Sequence, residues 1–274
     1  MTGPATVFDK PTDYIGKSIP RSDASRLLRG KGHYVDDIQL PRMVHAVFLR
    51  SPHAHAKIIS IDIKEAEKAK GVIAIYTGND IAKHVEPYVG VLSHLPGLRS
   101  PAQYPLAVDV ARWQGEPVAV VVCSSRALGE DALELINISY EPLPAVTDTM
   151  DALSSESPLI HREYDSNLAW KREVEVGSLD EALSGDDVVV VEKQMKFGRH
   201  TGVTLETRAT VCDYVSGDDE LIMYYAGQAP HMLQFILAKH LNMLEENVRV
   251  VAHDVGGSLD RKSTRLNSSH RCIS

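Results

Sequence analysis

Apolar and polar positions alternate in short blocks through the first half of the chain, and at two places they take on a helical spacing. Residues 1 to 20 are polar and punctuated by Pro and Gly, which suits an extended arm. Met43 to Leu49, Lys57 to Ile63 and Val72 to Tyr76 are expected strands; in the second, Ile59, Ile61 and Ile63 alternate with polar partners. Thr77-Gly78-Asn79-Asp80 closes the third as a turn cluster that also offers a helix cap. A loop rich in Pro and Gly spans Glu86 to Tyr104. Pro117 to Val122 is continuously apolar, the pattern of a buried strand. Ser124 or Ser125 then caps a helix to about Ile136, with Ala127, Leu128, Ala132, Leu133 and Leu135 near helical spacing. Asn137 to Tyr140 returns as a strand and is expected to stop at Glu141-Pro142-Leu143-Pro144, where proline removes backbone donors. Strands and helices thus interleave through residues 21–148, one α/β-type domain.

Residues 149–167, with Ser154-Ser155-Glu156-Ser157-Pro158 inside them, have the composition of a surface linker. Beyond it Val188 to Phe197 and Thr210 to Val215 are expected strands, Ser216-Gly217-Asp218-Asp219 a hairpin turn, and Leu221 to Tyr225 the return strand. Pro230 suits the first turn of a helix to about Leu241, with Met232, Leu233, Ile236, Leu237 and Leu241 on one face. Val248 to Ala252 leads into Gly256-Gly257. A second domain, residues 168–258, has begun, and the fold class expected for the whole is α+β.

The texture changes after Ser258. Asp260 to His270 is, residue for residue, the in-frame translation of a widely used sequencing-library adapter, and a short index with the adapter's next bases yields Arg271 to Ser274. Residues 259–274 are therefore expected to be a non-native, disordered tail and are set aside from fold reasoning. Without that tail's four Lys/Arg and one Asp, 25 basic residues face 36 acidic ones, net −11, so no nucleic-acid footprint remains. Only Cys123 and Cys212 precede the tail, without CxxC spacing, which fits a reduced cytoplasm. No stretch approaches the roughly 20 apolar residues of a membrane span.

Four groups could carry chemistry. His53 and His55, at i and i+2, share a face if extended, but no Cys or carboxylate cluster nearby completes a metal set, so a structural or interface role is expected. The polar insert Gly198 to Arg208 is either a solvated loop or a turn braced by a Glu206–Arg208 pair. Gln228, in Gly227-Gln228-Ala229-Pro230, stands where a strand gives way to a helix N-terminus with its free N–H groups. Gly256-Gly257 allows close backbone approach after another strand. The last two turns together would make a cofactor- or phosphate-lined wall, yet they supply no nucleophile with a base.

Read in order, several segments resemble the molybdopterin-binding large subunits of the xanthine dehydrogenase family, which includes aerobic carbon monoxide dehydrogenase. They are Arg21 to Arg26, Gly30-Lys31-Gly32-His33-Tyr34-Val35-Asp36-Asp37, Arg50 to Ala56, Gly115-Glu116-Pro117-Val118-Ala119, Tyr140-Glu141-Pro142-Leu143-Pro144, Leu205-Glu206-Thr207-Arg208, Gln228-Ala229-Pro230-His231 and Asp254-Val255-Gly256-Gly257. The resemblance implies an α/β hammerhead domain followed by a truncated molybdenum-cofactor-binding domain. It implies a molybdenum hydroxylase, oxidising a small substrate with water as oxygen donor. Gln228, Gly256 and Gly257 fall at its cofactor-lining positions. In the family the glycine turn continues into a Phe-Gly pair, which is missing here.

The resemblance further implies molybdenum–molybdopterin, in the cytosine dinucleotide form, with 2Fe-2S and FAD carried by partner subunits. The implied partners are an iron–sulfur small subunit and an FAD-binding medium subunit, in a dimer of heterotrimers. The family's general-base glutamate lies far downstream, so no catalytic residue is expected here and the fragment should be inactive by itself. Family substrates range over carbon monoxide, purines, N-heterocycles and aldehydes; Arg199-His200-Thr201-Gly202 leans toward the carbon-monoxide-dehydrogenase-like bacterial group. A non-catalytic α/β scaffold binding partner subunits is the competing expectation.

Overall fold

The computed structural model describes residues 16–18, 20–90, 95–198 and 203–257. Most of the N-terminal arm, the Arg199 to Gly202 stretch, Ser258 and the adapter-like tail lie outside the described residues.

Among the described residues a short helix, α1 (Ala24–Leu28), comes first, followed by β1 (His45–Arg50), β2 (Ala56–Asp62), β3 (Val72–Thr77), α2 (Gly78–Ile81), β4 (Val110–Ala111), β5 (Pro117–Cys123), α3 (Arg126–Leu133) and β6 (Asn137–Pro142). These strands build two antiparallel three-stranded sheets, β1-β5-β3 and β4-β2-β6. The continuous apolar run 117–122 is explained by position: β5 is central, with Val118, Ala119, Val121 and Cys123 fully buried. Burying each such valine contributes about 1.5–3 kcal/mol. Helix α3 covers this sheet, starting at Ser125, whose hydroxyl accepts the Leu128 N–H. Ala132 of α3 joins Ala66, Ile75, Val121, Cys123 and Ile136 in the main core. Gly129 lets the helix sit directly on β1, since a Cβ there would lie 2.6 Å from Val47 Cγ2.

After β6 the chain runs through irregular structure with a short α4 (Leu179–Leu183), then β7 (Thr210–Val215), β8 (Glu220–Tyr225), α5 (Pro230–Leu241) and β9 (Val248–Val251). Sheet β7-β8-β9 combines an antiparallel hairpin with a parallel β8–β9 pair, and α5 is its crossover. Pro230 opens α5, Asn242 closes it in the left-handed conformation (φ 53°), and Gln234 Nε2 donates to the Glu245 and Val248 carbonyls, fixing the return into β9.

The mixed α+β class holds, and the sheets of the first part are antiparallel. Three local expectations change. Strand β6 runs on through Pro142, because its last position on an edge strand needs no ladder donor. Helix α3 ends at Leu133, with Leu135 and Ile136 closing a turn onto Ala132 and Leu133. The Val188 to Phe197 segment is irregular and exposed, with no neighbouring strand among the described residues to complete a ladder. The 149–167 stretch is irregular but pinned. Asn167 accepts the Ile160 N–H and donates to the Pro158 carbonyl, Arg99 pairs with Asp165, and Trp170 Nε1 donates to the Pro96 carbonyl.

Candidate functional site

Parallel pairing decides where the chemistry gathers. Tyr224 stands opposite Val251, so the chain leaves β8 and β9 at the same end of the sheet and both following turns emerge there. Antiparallel β7 enters at that end, with Thr210 opposite Tyr225, and brings the Leu205-Glu206 segment alongside. This is the carboxyl end of parallel strands, where open α/β sheets bind ligands.

The turn after β8 carries Gln228. The Tyr225 hydroxyl accepts the Ala229 N–H at 2.7 Å, and a Cβ on Gly227 would strike the Tyr225 ring at 2.1 Å, so glycine is what lets this ring fold beneath the turn. Gln228 is exposed, and its amide has no protein partner among the described residues. It stands two residues before Pro230, at the uncapped N-terminus of α5.

The turn after β9 is held from two sides. Asp254 accepts both terminal nitrogens of Arg26, each at 2.6 Å, and the His33 N–H at 2.7 Å, while its own N–H donates to the His33 carbonyl. The Arg26 guanidinium, with the His33 amide, holds the Asp254 carboxyl well below the usual carboxylate range. His253 stacks on Tyr224, ring centroids 5.8 Å apart, and faces His33. From the other side, Glu206 Oε2 accepts the Gly256 N–H at 2.5 Å, Oε1 accepts the Val35 N–H at 3.3 Å, and the Glu206 N–H donates to the Gly256 carbonyl. A Cβ on Gly256 would lie 2.3 Å from Glu206 Cβ. Gly257, at φ 122°, is exposed.

Gln228, Gly256 and Gly257 thus emerge at one sheet end. The Glu206–Arg208 brace does not form: Glu206 turns to the glycine turn and to Val35, and Arg208 is exposed. His55 is buried, its Nδ1 2.7 Å from the Pro144 carbonyl oxygen, and His53 packs edge-on to Tyr140 at 4.9 Å, so this pair supports the β2–β6 end of the first part. Sequence reasoning missed Arg26 and Asp254 as a pair, since 228 positions separate them. The described residues contain no group of three or more His, Cys, Asp or Glu placed to hold a metal ion, and no helix among them is long and apolar enough to cross a membrane.

A second concavity, about 430 Å³, lies in the first part against Tyr104, Leu106, Arg112, Trp113, Glu116 and His161. Burial raises the Glu116 carboxyl above its ordinary value, against the Arg112 N–H it accepts, and burial lowers the His161 imidazole.

Comparison with known proteins agrees with this architecture. Residues 29–144 match the family model of the aldehyde oxidase and xanthine dehydrogenase a/b hammerhead domain, and residues 160–270 match the molybdopterin cofactor-binding domain. The second match runs past Ser258 into the adapter-like stretch. The chain belongs to the xanthine dehydrogenase family of molybdopterin-binding large subunits. It is 34% identical over 251 residues to the nicotine 6-hydroxylase large subunit of Paenarthrobacter nicotinovorans, covering 91% of this chain and 30% of that protein. It is 31% identical over 260 residues to the carbon monoxide dehydrogenase large chain of Afipia carboxidovorans, covering 90% and 31%. The crystal structure of quinoline 2-oxidoreductase from Pseudomonas putida 86 superposes with a TM-score of 0.83 at 36% identity, covering 88% of this chain and 30% of that one. The chain therefore spans about 30% of the length of these relatives.

Proposed function

We propose that this chain forms the hammerhead domain and the first wall of the cofactor cradle in the large subunit of a molybdenum hydroxylase. The observation that carries this reading is the parallel β8–β9 pair, which delivers Gln228 and the Gly256-Gly257 turn to one sheet end. The residues there suit a molybdopterin. Gln228 offers an unengaged neutral amide able to donate or accept, beside an uncapped helix N-terminus that favours anionic groups. Gly257 offers bare, exposed backbone.

When bound, the molybdenum cofactor supplies two-electron oxidation of substrate with water as the oxygen source. Gln228 would hydrogen-bond a polar ligand of the metal from the β8 side, and Gly257 would present its backbone from the β9 side. The Gly256 N–H is already engaged by Glu206, so Gly256 contributes shape and not a free donor. Among the described residues, the two carboxylates at this sheet end, Glu206 and Asp254, are already engaged by N–H donors. We propose that the base comes from other parts of a full-length subunit, of whose relatives this chain spans about 30%, and that this chain alone is inactive.

We further propose the cytosine dinucleotide form of the cofactor, and partner subunits carrying 2Fe-2S and FAD that accept the electrons, assembled as a dimer of heterotrimers in the cytoplasm. Support for the partners comes from the relatives, which are named as large subunits or chains. The test is to express the full-length gene with its neighbouring subunit genes, then measure molybdenum and released cytosine nucleotide in the purified complex. Both are expected in stoichiometric amounts. A fully assembled, metal-free complex would replace this reading with that of a non-catalytic module binding partner subunits.

A further inference from the structure

We propose that Glu206 is a positioning residue for the cofactor-facing turn, locking Gly256 in place so that Gly257 alone presents backbone to the ligand. This rests on the cofactor reading above and deepens it. The two carboxylate oxygens of Glu206 accept two backbone N–H groups, those of Gly256 and Val35, which lie 50 and 171 positions away in sequence. The Glu206 N–H returns a bond to the Gly256 carbonyl, so Gly256 is held through both its donor and its acceptor.

The same contact explains the first glycine. Glu206 Cβ stands 2.3 Å from where a Gly256 Cβ would be, and Thr204 lies 3.4 Å from where a Gly257 Cβ would be. Glycine at 256 thus answers to Glu206, whereas glycine at 257 answers to its positive φ on an exposed face. On the opposite side, Arg26 and His33 hold Asp254. The turn is therefore set by the N-terminal segment Arg26 to Val35, a part of the chain outside the cofactor-binding domain. Only a carboxylate serves at 206. Two N–H donors need two acceptor oxygens, and a glutamine would set its NH₂ against one of them.

The experiment uses the full-length subunit in its assembled complex and compares wild type, Glu206→Gln and Arg208→Gln. Hydrogen exchange at residues 254–257 and molybdenum per subunit are read together, with circular dichroism checking the fold. Glu206→Gln is expected to speed exchange at Gly256 about tenfold and to weaken molybdenum retention about tenfold. Arg208→Gln, which leaves the turn untouched, is expected to behave as wild type. Should Glu206→Gln fail to assemble, Glu206→Asp, which keeps two acceptor oxygens but shortens their reach by one methylene, is expected to give the same two changes. Wild-type exchange and molybdenum in whichever variant assembles would overturn the proposal. A molybdenum-free wild-type complex would instead overturn the cofactor reading, and the exchange measurement would still judge the clamp.

Discussion

Arg26 and Asp254 meet through both terminal guanidinium nitrogens and both carboxylate oxygens at 2.6 Å, joining α1 to the turn that follows β9. Paired forks of this kind fix orientation as well as distance. Asp254 also spans the two backbone polar groups of His33, so the N-terminal segment and the glycine turn are held as one unit. The first domain thereby supports the glycine turn of the second.

Acid should loosen this junction. The Asp254 carboxyl is depressed by Arg26 and by the His33 amide, so the stability it contributes is fully present above the unfolded value of about 3.9 and is lost as pH falls below it toward the folded value. Urea unfolding of the full-length subunit between about pH 3 and pH 6 should show wild type losing more stability than Asp254→Asn as pH drops. Parallel curves would remove Asp254 from the account.

Glu116 has the opposite sign. Burial raises its carboxyl, so it costs the fold stability as pH rises through the folded value and the group must charge inside a cavity wall. Glu116→Gln should gain on wild type as pH is raised from about 4 to 7, read from denaturant midpoints. A gap that stays constant with pH would show that Glu116 charges as freely folded as unfolded.

Gly129→Val should lower stability by about 2 kcal/mol, because the helix–sheet spacing at Val47 leaves no room for a side chain. The thermal midpoint measures it. An unchanged midpoint would mean that α3 can lift from β1 at little cost.

The Val188 to Phe197 segment has apolar, strand-forming residues and no ladder, with Val189, Val191 and Phe197 each more than 80% exposed. Brief chymotrypsin treatment of the 274-residue chain should cut first near Phe197. The same site should be protected in an assembled full-length complex, where further sheet can cover it; equal cleavage in both would show that the segment stays uncovered.

What sequence pattern disclosed and what it missed divide along range. Strand β5 was legible because a central strand is apolar on both faces, and α5 because Pro230 and the Leu233-Ile236-Leu237 spacing mark its start and half-buried face, although Met232 and Leu241, expected on that face, are exposed. The turns carrying Gln228 and Gly256-Gly257 were legible as punctuation after strands, but only the parallel register showed that they share an end. Two-residue β4 is too short to leave a period. The valine-rich start of the 188–197 segment shows the converse error, since β propensity needs a neighbour to become a strand. Glu206 was visible as a charged residue near Arg208, yet its partners are backbone N–H groups from distant segments, which no local pattern encodes.

Anomalous diffraction at the molybdenum edge from crystals of the full-length complex tests the central claim most directly. A single strong peak per large subunit is expected at the carboxyl end of β8 and β9, against Gln228 and the Gly256-Gly257 turn. A peak elsewhere in the subunit, or none in a fully assembled complex, would contradict it.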